Sequence, residues 1–135
     1  MVEIEARYDG NKKCSLKHQE GATLQTDAPK DIGGDGAAFS PTDLVAAALA
    51  SCVLTTIAMF AERHELNLTG ITAHIGKAMT ASPRRIGHLP LTVRMPASVP
   101  DEMRATLERV AHSCPVHTSL HPDVDAPITF QYDLT

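Results

Sequence analysis

The chain has 135 residues, 43% of them hydrophobic but only 4% aromatic, with no Trp and a formal net charge of −4. A chain of this length buries about 68% of its unfolded surface, so a single domain over 1–135 is expected, with one core built from Ala, Leu, Val, Ile and Met. No run of Lys or Arg exceeds a pair, which excludes the phosphate-binding footprint of a nucleic-acid partner.

The N-terminus, Met1-Val2-Glu3-Ile4-Glu5, alternates apolar and acidic residues and lacks the basic and apolar parts of a secretory signal, so a cytoplasmic address is expected. Val2, Ile4, Ala6 and Tyr8 fall on one side of a period-two pattern and Glu3, Glu5 and Arg7 on the other, which predicts a half-buried strand. Asp9-Gly10-Asn11 is a turn signal, and the alternation of Cys14, Leu16 and His18 with Lys13, Ser15 and Lys17 predicts the hairpin partner. Residues 22–26 form a third strand in this reading. The stretch from Asp27 to Phe39, with Pro29, Gly33, Gly34 and Gly36, reads as a loop able to line a site, and its glycines match no phosphate-loop spacing.

Ser40-Pro41-Thr42-Asp43 is a helix start: Ser at the N-cap, Pro at the first helical position and an acid at the third to close a capping box. The helix is predicted to run to about His64. From Leu44 to Phe60 no residue is charged, and only Ser51, Thr55 and Thr56 are polar, so the helix is apolar around most of its circumference. A membrane span is disfavoured because the run falls short of ~20 residues and Glu62 and Arg63 follow it closely. Such a helix spans about 36 Å, roughly the width of the domain, and little other sequence remains to cover it. A homodimer is therefore expected.

Two alternating stretches, Ile71 to Met79 and Leu89 to Met95, predict paired strands joined by a connector from Ala81 to His88. Ser98-Val99-Pro100-Asp101 repeats the capping pattern, and Met103, Leu107, Val110, Ala111 and Cys114 fall on one helical stripe. Pro115 ends that helix, and Ile128, Phe130, Tyr132 and Leu134 alternate as a last strand. The order βββαββαβ is an α+β pattern in which helices cover antiparallel sheet.

Three cysteines form a poor structural disulfide set in a reducing compartment and a plausible reactive-thiol set. Buried Cys is equally common as a small apolar filler. Cys14, on a short strand, receives no role. The segment Ser40-Pro41-Thr42-Asp43-Leu44 leading into Ala46-Ala47-Ala48-Leu49-Ala50-Ser51-Cys52, and the later Cys114-Pro115-Val116 with Leu120 and Pro122-Asp123-Val124, resemble the two signature regions of the OsmC/Ohr family. The element order is also similar to that fold, so the resemblance spans nearly the whole chain.

The resemblance implies an OsmC-like intertwined homodimer with active sites at the subunit interface. It also implies a cysteine-based peroxidase of the oxidative stress response, with Cys52 as the peroxidatic thiol and Cys114 as the resolving one, and with no metal or organic cofactor. In the organic-hydroperoxide branch of the family an N-terminal arginine and a glutamate near the start of the long helix support the thiolate. Ten residues before Cys52 this chain carries Thr42, with Asp43 beside it, and no arginine occupies the turn from Gly10 to Lys13. Arg7 and Asp43 are the candidate substitutes. Asp43 precedes Cys52 by nine residues, about 13.5 Å of helical rise and half a turn out of phase, so on one straight helix they do not touch.

A thiolate, not a thiol, cleaves an O–O bond, and an ordinary Cys with a pKa of about 8.5 is only a few per cent ionised at neutral pH. Attack yields a sulfenic acid that an adjacent thiol condenses with to a disulfide, which an external dithiol reduces. Two other readings stay open. One is an OsmC-like small-molecule-binding protein in which both cysteines are inert. The other is a metal site from Cys114, His112, His117 and His121, whose spacing matches no standard zinc pattern.

Overall fold

A computed structural model describes all residues, Met1–Thr135. The chain divides into two compact units, Met1–Val45 and Ala46–Thr135.

In the first unit three antiparallel strands lie in the order β1-β2-β3: β1 (Ile4–Gly10), β2 (Lys13–His18) and β3 (Thr23–Asp27). The Asp9-Gly10-Asn11 signal becomes a tight hairpin in which Asn11 and Lys12 both adopt positive φ, 53° and 63°, between paired Gly10 and Lys13. This is the primed-turn geometry that matches strand twist. Tyr8, Cys14 and Thr26 align across the sheet, as do Ala6, Leu16 and Leu24. The alternation of β1 is present, but its expected half-burial is not: Ile4 is 61% and Tyr8 66% exposed.

The expected loop after β3 is organised around one buried acid. Asp27, at 1% exposure, accepts from the Ala37 backbone N–H at 3.0 Å and pairs with Lys13 Nζ at 3.3 Å, and Lys13 also meets Asp35 at 2.7 Å. The loop closes with Asp27 N donating to Phe39 O and Gly36 N to Ala28 O. Gly34 is required there, since a Cβ would fall 1.8 Å from Ala28 O. The Ala37 N–H and, after it, the Lys13 ammonium hold the Asp27 carboxyl below the ordinary carboxylate range against the opposing effect of burial.

Helix α1 (Pro41–Glu62) starts in the first unit and continues into the second. Its capping box forms as expected: Asp43 N donates to Ser40 Oγ at 3.1 Å and Ser40 N donates to Asp43 Oδ2 at 3.0 Å. The buried residues are Ala46, Leu49, Val53, Ile57 and Ala61. Their spacing of three and four makes one stripe, and the remaining apolar circumference is only partly covered within the chain, Met59 at 54% exposure being the most open. At 22 residues α1 has the length and composition of a membrane span, but its stripe belongs to the core of the second unit.

That unit departs from the expected order in its middle. Ile71 to Met79 is not one strand but two, β4 (Thr72–Ile75) and β5 (Ala78–Thr80), separated where Gly76 N turns to bond Pro90 O. The expected connector contains a further strand, β6 (Arg85–His88), paired antiparallel with β5. Strand β7 (Leu91–Pro96) lies centrally in the order β4-β7-β8, antiparallel to β4 and parallel to β8 (Ile128–Leu134). The parallel pair needs a long crossover, which α2 (Asp101–Ala111) and α3 (Pro115–Ser119) supply.

The expected capping box of α2 is absent: Pro100 is the N-cap and no side chain caps it. Arg104 reaches back instead, donating from Nε to Val99 O and from Nη2 to Ala97 O, with its guanidinium 4.2 Å over the Tyr132 ring. Burial pushes the Tyr132 phenol up to about 12. Leu49, Val53 and Ile57 of α1 share one buried cluster with Leu89, Leu91, Val93 and Met95 around β7 and with Leu107, Ala111 and Cys114.

Two outcomes follow from this packing. Leu49→Ala, at a fully buried site, is expected to cost about 2–5 kcal/mol by urea denaturation, and a loss below 1 kcal/mol contradicts its place in the core. Because the folded Asp27 pKa is depressed, its contribution to stability is complete above about pH 4 and is lost as pH falls through the lower folded value. Hydrogen exchange at Ala37 and Gly36 is expected to accelerate below that point, and Asp27→Asn is expected to remove this acid step.

Candidate active site

Cys52 sits at the middle of α1, one position before buried Val53, and is itself half-buried. Cys114 is fully buried. It does not end α2, as the apolar stripe predicted. That helix stops at Ala111, and Cys114 becomes the N-cap of α3 with Pro115 at the first helical position. A Cys-Pro step does this because Pro cannot donate a backbone N–H and suits a first turn, while the residue before it is driven to extended conformation. Cys114 has φ −60° and ψ 141°.

In that conformation the Cys114 sulfur faces α3. The His117 backbone N–H donates to Cys114 Sγ at 3.3 Å, and the Val116 N–H also points toward it. The His117 ring is fixed from the other side: Nε2 lies 3.1 Å from Ala126 O, and since a carbonyl only accepts, Nε2 carries the proton. The turn bearing Cys114 is thereby tied to the segment leading into β8.

Cys52 and Cys114, 62 residues apart in sequence, are brought together in one place: Cys52 packs against the buried cluster that contains Cys114. Burial, and after it the neighbouring Cys52 side chain, push the Cys114 thiol up, outweighing the backbone donors that favour its anion. Cys114 therefore keeps its proton, and Cys52 is the more exposed of the two. Both are free thiols, as is Cys14, which lies on β2 between Tyr8 and Thr26.

The other side chains raised by the sequence are engaged locally. Arg7, 79% exposed, donates from Nε to Asp9 Oδ1 at 2.8 Å, and Asp9 also accepts from the Ser15 hydroxyl. Asp43 closes the α1 capping box. Its nine-residue separation from Cys52 on a continuous helix keeps the two about 13.5 Å apart along the axis.

The histidines do not assemble around Cys114. His112 Nδ1 faces Glu108 O at 2.9 Å, and His121 Nδ1 accepts from Asp123 N at 3.0 Å. His112 and His117 meet only edge to ring at 5.5 Å, and no three His, Cys, Asp or Glu side chains converge on a metal-sized centre. One residue near the sulfurs had no assigned role in the sequence: Thr56, whose Oγ1 lies 3.9 Å from Cys52 Sγ. Its signal was the i, i+4 spacing on α1.

A sequence profile of the OsmC-like protein family matches residues 33–128. A protein of Psychrobacter arcticus 273-4, provisionally assigned to osmotic stress induction and the detoxification response, is 36% identical in sequence. Its solved structure superposes with a TM-score of 0.92 over 97% of this chain and 96% of the other. An organic hydroperoxide resistance protein OsmC of Legionella pneumophila shares the fold at 21% identity, with a TM-score of 0.78 over 96% of each chain. An organic hydroperoxide resistance protein of Elizabethkingia anophelis does so at 19% identity and a TM-score of 0.77, over 98% of this chain and 96% of the other. No functionally curated protein matches the chain significantly. With the profile covering most of its length and a relative at 36% identity spanning nearly all of it, the chain belongs to the OsmC-like protein family.

Proposed function

We propose that this protein is a thiol peroxidase that reduces organic hydroperoxides, with Cys52 as nucleophile and Cys114 as resolving thiol. The observation that carries the reading is that half-buried Cys52 packs against the buried cluster containing Cys114, both as free thiols. In this reading the Cys52 thiolate attacks one peroxide oxygen, forming an S–O bond as the O–O bond breaks. The alkoxide leaves as alcohol after taking a proton from water. The Cys114 sulfur then displaces hydroxide from the Cys52 sulfenic acid, its own proton completing a water molecule, and a disulfide forms. An external dithiol returns both thiols.

The difference in burial supports this division of roles. A nucleophile must meet substrate, and Cys52 has the exposure to do so. A resolving thiol must be near and protected, and Cys114 is both. Relatives of the same fold that are named organic hydroperoxide resistance proteins point to the same substrate class. We further propose a homodimer, since the apolar surface of α1 around Met59 and the exposed Ile4, Tyr8 and Leu24 are more than a single chain covers. Three free thiols suit a reducing, cytoplasmic setting.

A second reading, a binding protein without peroxidase activity, draws on the engagement of Arg7 with Asp9 and of Asp43 with Ser40, the two charged candidates for supporting Cys52. The two readings separate with tert-butyl hydroperoxide and a dithiol. Peroxide consumption is expected from the wild type and is expected to fall to background in Cys52→Ser. In Cys114→Ser one equivalent is consumed and turnover then stalls. A wild type that leaves peroxide untouched overturns the peroxidase, and mass spectra without a 52–114 link after oxidation overturn the resolving role of Cys114. Light scattering is expected to read twice the chain mass, and a monomeric mass at micromolar concentration contradicts the dimer.

A further inference from the structure

Two threonines stand side by side on α1 and use their hydroxyls differently. Thr55 Oγ1 donates to Ser51 O at 2.9 Å, the usual return of a helical Thr to the carbonyl four residues back. Thr56 Oγ1 is turned instead to the side chain four residues back, 3.9 Å from Cys52 Sγ, and has no other partner. Thr56 is half-buried, so its hydroxyl is partly withdrawn from water.

Cys52 lies more than two turns from either end of α1, too deep for the helix termini to stabilise a negative charge on it. Arg7 is occupied by Asp9 and Asp43 by the helix cap. The polar group placed against the sulfur is the Thr56 hydroxyl.

We propose that Thr56 is a catalytic residue: its hydroxyl donates a hydrogen bond to the ionised Cys52 sulfur, favouring the thiolate and holding it in the orientation for attack. The proposal rests on the peroxidase reading for its use but not for its test. A thiol can donate or accept, whereas a thiolate only accepts, so ionisation of Cys52 commits the Thr56 hydroxyl to the donor role. A bond to an ion is stronger than the same bond to a neutral group. No proton passes through Thr56. Its hydrogen bond weakens as the charge moves from sulfur to the departing alkoxide.

That charge movement gives a signature that loss of packing does not share. Removing the donor raises the pH at which Cys52 ionises, which lowers the thiolate fraction at neutral pH, but the anion that remains is more nucleophilic. Nucleophilicity rises by about 0.4–0.5 of each logarithmic unit gained in basicity. For a shift of about one pH unit, oxidation of Cys52 slows about threefold below both midpoints and speeds up about threefold above them.

The experiment compares wild type, Thr56→Val, which preserves shape, and Thr56→Ser, which preserves the hydroxyl. Alkylation of Cys52 by iodoacetamide is followed against pH by peptide-resolved mass spectrometry, with thermal melting as the check on folding. Thr56→Val is expected to move the Cys52 midpoint up by about one pH unit, with the crossing of peroxide rates described above, and Thr56→Ser to return both toward wild type. An unmoved midpoint in Thr56→Val, a slower rate at every pH without a shift, or a Thr56→Ser that behaves like Thr56→Val overturns the proposal. Should Thr56→Val not fold, Thr56→Ala reads the same midpoint. Alkylation contains no peroxide, so a protein that fails to consume peroxide yet shows the shift removes the peroxidase and leaves the Thr56 hydrogen bond standing.

Discussion

The packing of Cys52 against the buried cluster that holds Cys114 is the constraint on which the candidate site in the second unit depends. One sulfur is carried by a helix whose Leu49, Val53 and Ile57 are locked against the residues around β7. The other is carried by a turn held by its own helix cap and by the bond from the His117 ring to Ala126 O. Neither cysteine is placed by local structure alone. Core packing fixes the axial position of α1, and the Cys-Pro step aims Cys114. The proton stays on Cys114 because burial disfavours charge there more than two backbone donors favour it.

An energetic division runs between the two units. The second has an apolar core around β7 and α1, whereas the first has few buried residues, Thr26, Asp27 and Ser40, all polar. Its order comes from hydrogen bonds and ion pairs: the capping box at Ser40, and the Asp27 carboxylate that gathers Lys13 and Ala37. An Asp with almost no exposure is tolerable only when its charge is matched, and Lys13 with the Ala37 N–H does this. One carboxylate oxygen, Oδ1, remains without a hydrogen-bond partner.

The apolar residues left exposed carry a related message. Ile4, Tyr8 and Leu24 in the first unit, and Met59 on α1, lie on elements whose alternation or helical pattern is regular. Regular apolar patterning without burial marks a face prepared for cover. Such patterning states that a face is to be covered and is silent on what covers it.

Local chemistry was legible in the sequence because it is written within a few residues. The hairpin at Asn11, the capping box at Ser40, the last strand from Ile128 and the long helix all rest on turn residues, caps and periodicity. The signals failed where a distant partner decided. Gly76 splits the expected strand because its N–H bonds Pro90 O. β6 forms because β5 pairs with it, and β8 runs parallel to β7 because a crossover brings it there. Ser98 does not cap α2, because the helix begins two residues later with Pro100 as its N-cap. At the site, residue type and a family resemblance singled out Cys52 and Cys114. Their approach, the difference in their burial and the turn of the Thr56 hydroxyl toward sulfur were decided only by tertiary structure. Each depends on which side chains exclude water and on hydrogen bonds between groups whose distance along the chain says nothing of their distance in space.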